Sequence, residues 1–376
     1  MKPNPQETLA TLALTRMRGI GAHTARALLQ AAGSAEALFA LSEDGLEELI
    51  PGCTPKLKAA LADRSEALRY AEAACQAAEK GGYRIVSYWD DDYPERLREC
   101  EDAPPVLYYR GTASLNTAHS VAIVGTRRMT PYGSSLCEAF VRDLASLCPG
   151  TLVVSGLAYG VDICAHRVAL AHGLPTVGVL AHGIDTIYPP LHRNTAAEMT
   201  RRGGVLTEFP VGTRPERQNF VRRNRIIAGI CEATLVVESA SKGGALITSG
   251  IAQSYNRECF AFPGRIGDEY SEGCNRLIRD NKAALITSAE DFAKALNWTQ
   301  GKEGQKPVVQ RELFPELTAE QEKVVQVLRR FPEGAPLNTL VVECNLPVYR
   351  LSALLFELEM KGLVRPLYGG LYRLLG

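Results

Sequence analysis

The sequence predicts an α/β fold whose central part is a doubly wound, mostly parallel sheet. Three observations carry this. Between residues 84 and 297, short β-branched runs alternate with stretches of helical length, the pattern of strands covered on both faces by crossover helices. Glycine turns follow several of those runs. On either side of this region the alternation stops, so the 376-residue chain reads as a sheet domain between two smaller units.

Residues 1–80 read as helices only. Residues 8–17 are apolar and periodic; Gly19-Ile-Gly21 opens a helix over 24–32, which Gly33 closes; Leu46 to Gly52 leads into another over 55–62. Helix, short glycine hairpin, helix, twice over, resembles a helix-hairpin-helix or sterile-alpha-motif-like domain. Such hairpins can offer backbone N–H groups to a DNA phosphate; the alternative is a small interaction bundle.

In residues 81–297 the expected strands are 84–87, 106–110, 121–124, 152–155, 176–180, 204–207, 235–237 and 258–261. Helical connections between most neighbours imply right-handed crossovers and an extended Rossmann-like sheet. Open sheets of this kind bind ligands beyond the carboxyl ends of their strands. Polar residues 298–314, starting at Trp298, read as a linker. In 315–376, Thr318 and Gln321 form a capping box before an apolar helix. A second helix covers 336–341 and a third 346–361, stopped by Gly362; a hairpin follows around Gly369-Gly370. Three helices and a β-wing resemble a winged-helix domain, whose third helix often enters the DNA major groove. Here that helix carries only Arg350 and Lys361 as cations, which favours protein interaction over DNA.

Net charge is zero, so composition gives no global argument for a polyanionic partner. Local distribution does: eight arginines face three glutamates between Arg193 and Arg225. Ten scattered cysteines without a C-x-x-C suit a reduced, cytoplasmic chain better than a disulfide framework or zinc site. No signal pattern and no run of about 18 apolar residues is present, so no membrane partner is expected. No metal or cofactor is expected either.

Four strand ends carry the chemistry. Val121 to Arg127 is a buried strand, a turn at Gly125 and the start of a helix, a geometry that lets backbone N–H groups approach an anion. A dinucleotide-binding turn would continue G-x-G-x-x-G. Arg127 and Arg128 stand there instead, which argues against a nicotinamide-dependent dehydrogenase and for a gripped phosphate chain. At the next end come Ser155 and Gly156, then Asp162 and His166, four apart on one helix face. G-x-S-x-G is missing, so a buried Asp–His pair steadying a turn is preferred to a nucleophile. In Arg217 to Arg225, Phe220 offers a stacking face among cations, as unstacked bases require. Arg223 to Arg225 is expected to be the exposed first turn of a helix that buries Ile226, Ile227 and Ile230. Lastly, Lys242-Gly243-Gly244, running on to Thr248, is another glycine-rich turn into a helix; it suits phosphate contact but is not a P-loop.

Together these motifs resemble the DNA processing protein A (DprA/Smf) family. The shared pattern is Ala-Ile-Val-Gly-Thr-Arg at 122–127 with Tyr132-Gly133, and Ser-Gly-Leu-Ala at 155–158 with Gly160, Asp162 and Ala165-His166. It continues with Ile187-Tyr-Pro189, Phe220 with Arg223-Asn-Arg-Ile-Ile-Ala-Gly229, and Val-Val-Glu at 236–238 with Gly244-Ala-Leu-Ile-Thr248. It closes on Phe262-Pro-Gly264, Gly273, Asn275 and Leu277-Ile278. The resemblance is close over 84–290. It implies a non-enzymatic, homodimeric single-stranded DNA-binding protein. Such a protein protects incoming strands and loads the RecA recombinase in natural transformation and homologous recombination. It further implies that Arg127 and Arg217 contact the DNA backbone. Gly125, Thr126, Ser155, Gly156, Phe220, Arg223, Asn224, Arg225, Lys242, Gly243, Gly244 and Thr248 belong to the same binding site, and Leu277 and Ile278 to the dimer interface. Tyr159 stands where the family usually has arginine, Arg217 where lysine is common, Gly243 where serine is usual, and Asn281-Lys-Ala-Ala departs from the usual segment near the dimer contact. The competing reading is an enzyme, a Rossmann-like nucleotide-processing hydrolase of the lysine-decarboxylase-like group. Those proteins carry P-G-G-x-G-T-x-x-E, and Gly243-Gly-Ala-Leu-Ile-Thr lacks the glutamate.

Overall fold

A computed structural model describes residues 5–50, 53–299, 317–331, 334–367 and 370–374. They fall into two compact units, Met1–Gly301 and Lys302–Gly376.

The first unit opens with six helices: α1 (Pro5–Leu14), α2 (Ala22–Ala32), α3 (Ala35–Ala40), α4 (Glu43–Leu49), α5 (Pro55–Ala62) and α6 (Ser65–Gly81). Gly33, at φ +79°, ends α2, and the Ser34 hydroxyl accepts the Ala37 N–H to start α3. Glu7 is buried because its carboxylate accepts the N–H groups of Ala35 (2.8 Å) and Glu36 (3.0 Å), orphan donors at that same helix start. Leu12, Leu29 and Leu38 share one apolar core with Tyr108, Ile163 and Val205 of the sheet region.

Next come β1 (Arg84–Ser87), α7 (Glu95–Arg98), β2 (Val106–Gly111), β3 (Ser120–Val124), α8 (Pro131–Leu147), β4 (Leu152–Ser155), α9 (Val161–Ala171) and β5 (Thr176–Val179). After a 3-10 turn at Pro190–His192 follow α10 (Arg193–Arg202), β6 (Gly204–Thr207), α11 (Arg217–Ile230), β7 (Ala233–Val236), α12 (Gly244–Ser254), β8 (Glu258–Ala261), α13 (Glu272–Arg279), β9 (Ala284–Leu285) and α14 (Ala289–Ala295). All eight expected strands form. The ninth, β9, has two residues, too few for any pattern to reveal.

The strands lie in the order β1-β2-β6-β5-β4-β3-β7-β8-β9. From β6 through β9 neighbours are parallel, while β1 and β2 are antiparallel additions at one edge. The chain moves outward from β3 through β4, β5 and β6, then returns to lay β7 on the other side of β3. That reversal opens a crevice at the carboxyl ends of β3 and β7, where Val124 pairs with Val236. Strands β3 to β7 are buried throughout, which is why they read as unbroken apolar runs.

The linker does not start at Trp298. That ring is buried, stacked on His119 at 4.4 Å and edge-on to Phe292 at 5.2 Å, and its Nε1–H donates to Glu232 at 3.1 Å. The polar residues after it hid its anchoring role in the sequence. Most of the expected linker lies outside the described residues.

The second unit contains α15 (Ala319–Leu328), β10 (Ala335–Pro336), α16 (Leu337–Cys344), α17 (Val348–Met360), β11 (Val364–Leu367) and β12 (Leu371–Leu374), with strand order β10-β12-β11. The capping box forms as read: Thr318 Oγ1 accepts the Gln321 N–H at 3.3 Å, and Gln321 Oε1 accepts the Thr318 N–H at 3.1 Å. Val324, Leu328, Leu340, Leu351, Leu354 and Leu358 make its core. Gly369 lies outside the described residues. Among the described residues no single helix is long and apolar enough to cross a membrane.

Trp298→Ala should remove about 3–5 kcal/mol of stability, and Trp298→Phe, which leaves Glu232 without its donor, about 1 kcal/mol. Urea unfolding of the full chain checks both; an unchanged midpoint in the alanine variant would contradict the anchoring role.

Candidate nucleic-acid interface

A cavity of about 550 Å³ fills the crevice beyond β3 and β7. Its wall comes from four places: Val124 to Arg127 after β3; Ala158 and Asp162 around the start of α9; Arg217, Phe220, Arg223 and Asn224 on α11; and Gly243, Gly244 and Thr248 at the start of α12.

The turn after β3 is fastened by its backbone. Thr126 donates its N–H to Glu238 O at 2.8 Å and accepts the Val161 N–H at 3.2 Å. A Cβ at Gly125 would lie 2.4 Å from a Val161 methyl, and one at Gly160, where φ is +76°, only 2.2 Å from Thr126 O. Both glycines therefore let three chain segments meet within hydrogen-bond reach. The buried Glu238 carboxylate accepts the Thr130 N–H (2.9 Å) and hydroxyl (2.5 Å), and Thr130 caps α8. Arg127, carried by this turn, lays its guanidinium 5.3 Å from the centre of the Phe220 ring.

Beneath that ring lies Arg223. It is not on an exposed first turn: α11 begins at Arg217, so Arg223 falls mid-helix on the inward face with 3% exposure. Its Nη1 donates to Gly156 O at 2.7 Å and to Val179 O, carbonyls at the ends of β4 and β5. A Cβ at Gly156 would sit 2.4 Å from this guanidinium. Asp162, which accepts the Gly156 N–H at 3.0 Å, supplies the opposing charge. Burial lowers the Arg223 pKa to about 10, still charged at neutral pH, and burial raises that of Asp162. Arg225 is likewise buried, not exposed. It pairs with Glu208 at 2.7 Å and reaches Asp102 O, and it does not line the cavity.

Phe220 is half-buried, flanked by Arg127, by Arg223 at 6.0 Å and edge-on by Tyr188 at 5.9 Å. Arg217 is exposed at the mouth. Gly243 precedes α12 without a side-chain cap, so the first N–H groups of an 11-residue helix face the crevice with the positive end of its dipole. A side chain at 243 would need the space that Ser239 Oγ fills, since an added Cβ lies 2.2 Å from it. Lys242 is exposed beside the cavity without lining it.

Ser155 is fully buried, and its hydroxyl donates to Ile123 O at 2.6 Å. His166 does not serve it as a base. Thr176 Oγ1 spends its proton on Val153 O at 2.9 Å, so it must accept from His166 Nδ1 at 2.6 Å. Burial, then His192 and Arg223, push the His166 pKa to about 3, leaving a neutral, structural ring. Among the described residues no three His, Cys, Asp or Glu side chains are grouped to hold a metal.

The structure thus brings Gly125, Thr126, Arg127, Arg217, Phe220, Arg223, Asn224, Gly243, Gly244 and Thr248 together, and leaves Ser155, Gly156, Arg225 and Lys242 outside the lining. Leu277 points into the sheet core, with Ile278 half-buried against it. Sequence reading placed Ile247 within the lining stretch 242–248 but missed Val221, which makes an apolar rim with it, and the ring contact of Tyr188. Tyr188 was marked only as part of the Ile187-Tyr-Pro189 motif; its contact was not legible, because its partner Phe220 is 32 residues away. Tyr159, where the family usually has arginine, is exposed and meets His192 edge-on at 5.1 Å.

Residues 84–297 match the family model for DNA recombination-mediator protein A, and 312–370 match that for the DprA winged helix domain. Protein Smf of Escherichia coli (strain K12) is 33% identical over 308 residues, spanning 79% of this chain and 79% of that one. DNA processing protein DprA of Streptococcus pneumoniae is 38% identical over 205 residues, 54% of this chain and 71% of that one. Its crystal structure superposes with a TM-score of 0.65 at 30% identity, covering 78% of this chain and 98% of the other. A structure describing the single-stranded DNA binding mode of DNA processing protein A from Helicobacter pylori has a TM-score of 0.52 at 29% identity, covering 57% and 96%.

Gly156→Ala should displace the Arg223 guanidinium and cost about 2 kcal/mol, read as a lowered urea midpoint. A second expectation concerns acid. His166 has a folded pKa of about 3 against an ordinary value of 6.5, so the unfolded chain takes up the proton first. The stability conferred by the neutral ring is complete above pH 6.5 and is lost as pH falls toward 3, roughly 2 kcal/mol by pH 5. Burial lowers His182 too, which acts in the same direction. Urea titrations at pH 7 and 5 should show the loss, and His166→Gln should flatten it.

Proposed function

The chain belongs to the DNA recombination-mediator protein A family, and from that membership we propose that it binds single-stranded DNA in the crevice beyond β3 and β7. In this reading it shields the strand and loads the RecA recombinase onto it, in natural transformation and homologous recombination. The observation that carries the binding step is the half-buried Phe220 ring, with the Arg127 and Arg223 guanidinia 5.3 and 6.0 Å from its centre and a helix N-terminus beside it. A single strand offers what this arrangement takes: an unstacked base for the ring and phosphates for Arg127, Arg217 and the α12 N–H groups. A duplex hides its base faces, and the crevice is a pocket instead of a broad saddle. The single-stranded DNA mode described for the Helicobacter pylori relative points the same way.

Binding without catalysis is the better reading. The carboxylate in the lining, Asp162, is spent on the Gly156 and Ala158 N–H groups, and Glu238 nearby is spent on Thr130. The proposed binding domain is 81–297, flanked by a helical domain over 1–80 and the winged helix over 315–376. A homodimer using α13 would rely on Ile278, because Leu277 belongs to the core.

Arg127→Ala with Arg217→Ala should weaken binding of an oligothymidylate more than tenfold and lower the slope of log K against log salt by about 1.4. Exposed Arg69→Ala should change neither. Phe220→Ala should cost about 1–3 kcal/mol with little change in that slope. Fluorescence anisotropy at several salt concentrations checks all three; unaltered affinity in the double variant would sink the proposal. Loading is read separately, as faster RecA filament formation on the protected strand.

A further inference from the structure

Helix α17 has two apolar faces. Leu351, Leu354, Leu355 and Leu358 fill the core of its unit. On the opposite side Tyr349, Ala353, Phe356 and Met360 fall within an arc of about 60° at 100° per residue. Tyr349 is 78% exposed, Phe356 63% and Met360 74%. Large apolar side chains aligned along one solvent face mark an interaction site more than scattered exposure does. A DNA-reading helix would carry cations there. This one carries Arg350, already bonded to Glu320 through Nε (3.0 Å) and Nη2 (2.7 Å), and it presents Glu357 and Glu359 besides.

The charges beside the seam are arranged in a self-complementary way. Arg350 and Glu357, seven residues apart, lie on one flank. Each is held in place by the start of α15, Arg350 by Glu320 and Glu357 by the Gln321 amide at 2.7 Å. We propose that the seam docks a second copy of this chain, with two α17 helices antiparallel about a two-fold axis level with the Ala353–Leu354 peptide. In an isologous pair each flank meets its own copy. In this register Arg350 comes level with the partner's Glu357, twice by symmetry. Tyr349 drops between the partner's Phe356 and the partner's Met360, as a knob into a hole. Ala353 meets the partner's Ala353, small enough for close approach. A parallel pairing would face this flank with the partner's opposite one, setting Glu357 beside the partner's Glu359 and giving Arg350 no carboxylate at its level.

The face is small. It covers on the order of 400 Å² per copy, about half a standard interface. It is therefore a weak contact that acts when copies are already close, as neighbours on one strand or subunits of one dimer. It is distinct from any contact through α13 and does not depend on how DNA is bound.

Disulfide trapping in the full-length chain tests it. Ala353→Cys places a thiol almost on the axis, and a mild oxidant such as diamide takes the two electrons and two protons as the S–S bond forms. A covalent dimer should appear at micromolar protein well above that from wild type or from exposed Glu322→Cys on α15. Adding Phe356→Glu should cut the yield at least tenfold. Arg350→Glu should lower it, and Arg350→Glu with Glu357→Arg should restore it. The proposal is overturned if Ala353→Cys traps no more dimer than Glu322→Cys, if Phe356→Glu leaves the yield unchanged, or if the charge swap fails to restore it. It is equally overturned if Phe356→Glu weakens binding to duplex DNA while no dimer is trapped, which would assign the seam to nucleic acid.

Discussion

The buried guanidinium of Arg223 organises the binding end of the sheet. Taking such a charge out of water costs several kcal/mol unless it is matched. Here two strand-end carbonyls, Gly156 O and Val179 O, accept from it, and Asp162 opposes it. That match fixes much around it. Residue 156 must lack a Cβ, α9 must present Asp162 toward β4, and α11 must cross the ends of β4 and β5. Phe220, one turn earlier on α11, is thereby set above the guanidinium with its ring available to a ligand.

A second constraint acts at the neighbouring strands. Thr126 is hydrogen-bonded to both Glu238 O and Val161 N, and Glu238 fixes the start of α8 through Thr130. Arg127 thus projects from a turn held on three sides, so little side-chain and backbone freedom remains to be lost when a phosphate binds. The cations in the crevice differ in kind: Arg223 is buried and structural, whereas Arg127 and Arg217 are exposed, as the proposed phosphate contacts require. A net charge of zero is compatible with such roles, which need a few placed cations and not an excess.

Much of the fold was legible because the sheet is buried on both faces, which turns strands such as Val121–Val124 into unbroken apolar runs. Gly125 was legible as a close approach, though to a ligand and not to Val161; Gly156 and Gly160 stood out only as motif glycines, and what crowds them, Arg223 and Thr126, was not legible. The reading failed where the partner is remote. Arg223 and Arg225 look like surface charges in sequence. The groups that bury them, Gly156 O, Val179 O and Glu208, lie 67, 44 and 17 residues away. Trp298 looked like linker for the same reason, since Glu232 and His119 come from elsewhere. In α17 the sequence showed the shortage of cations, but only the burial pattern separates its core leucines from the second seam.

The most direct measurement is photocrosslinking of the full chain to a single-stranded oligonucleotide carrying 5-iodouracil, with adducts mapped by mass spectrometry. A base stacked in the crevice should attach to Phe220 or Tyr188, with attachment lost under excess unlabelled single strand. Adducts confined to α17 or to the helices over 5–81, with none between Arg217 and Arg225 or at Tyr188, would contradict the assignment of the strand to the carboxyl end of the sheet.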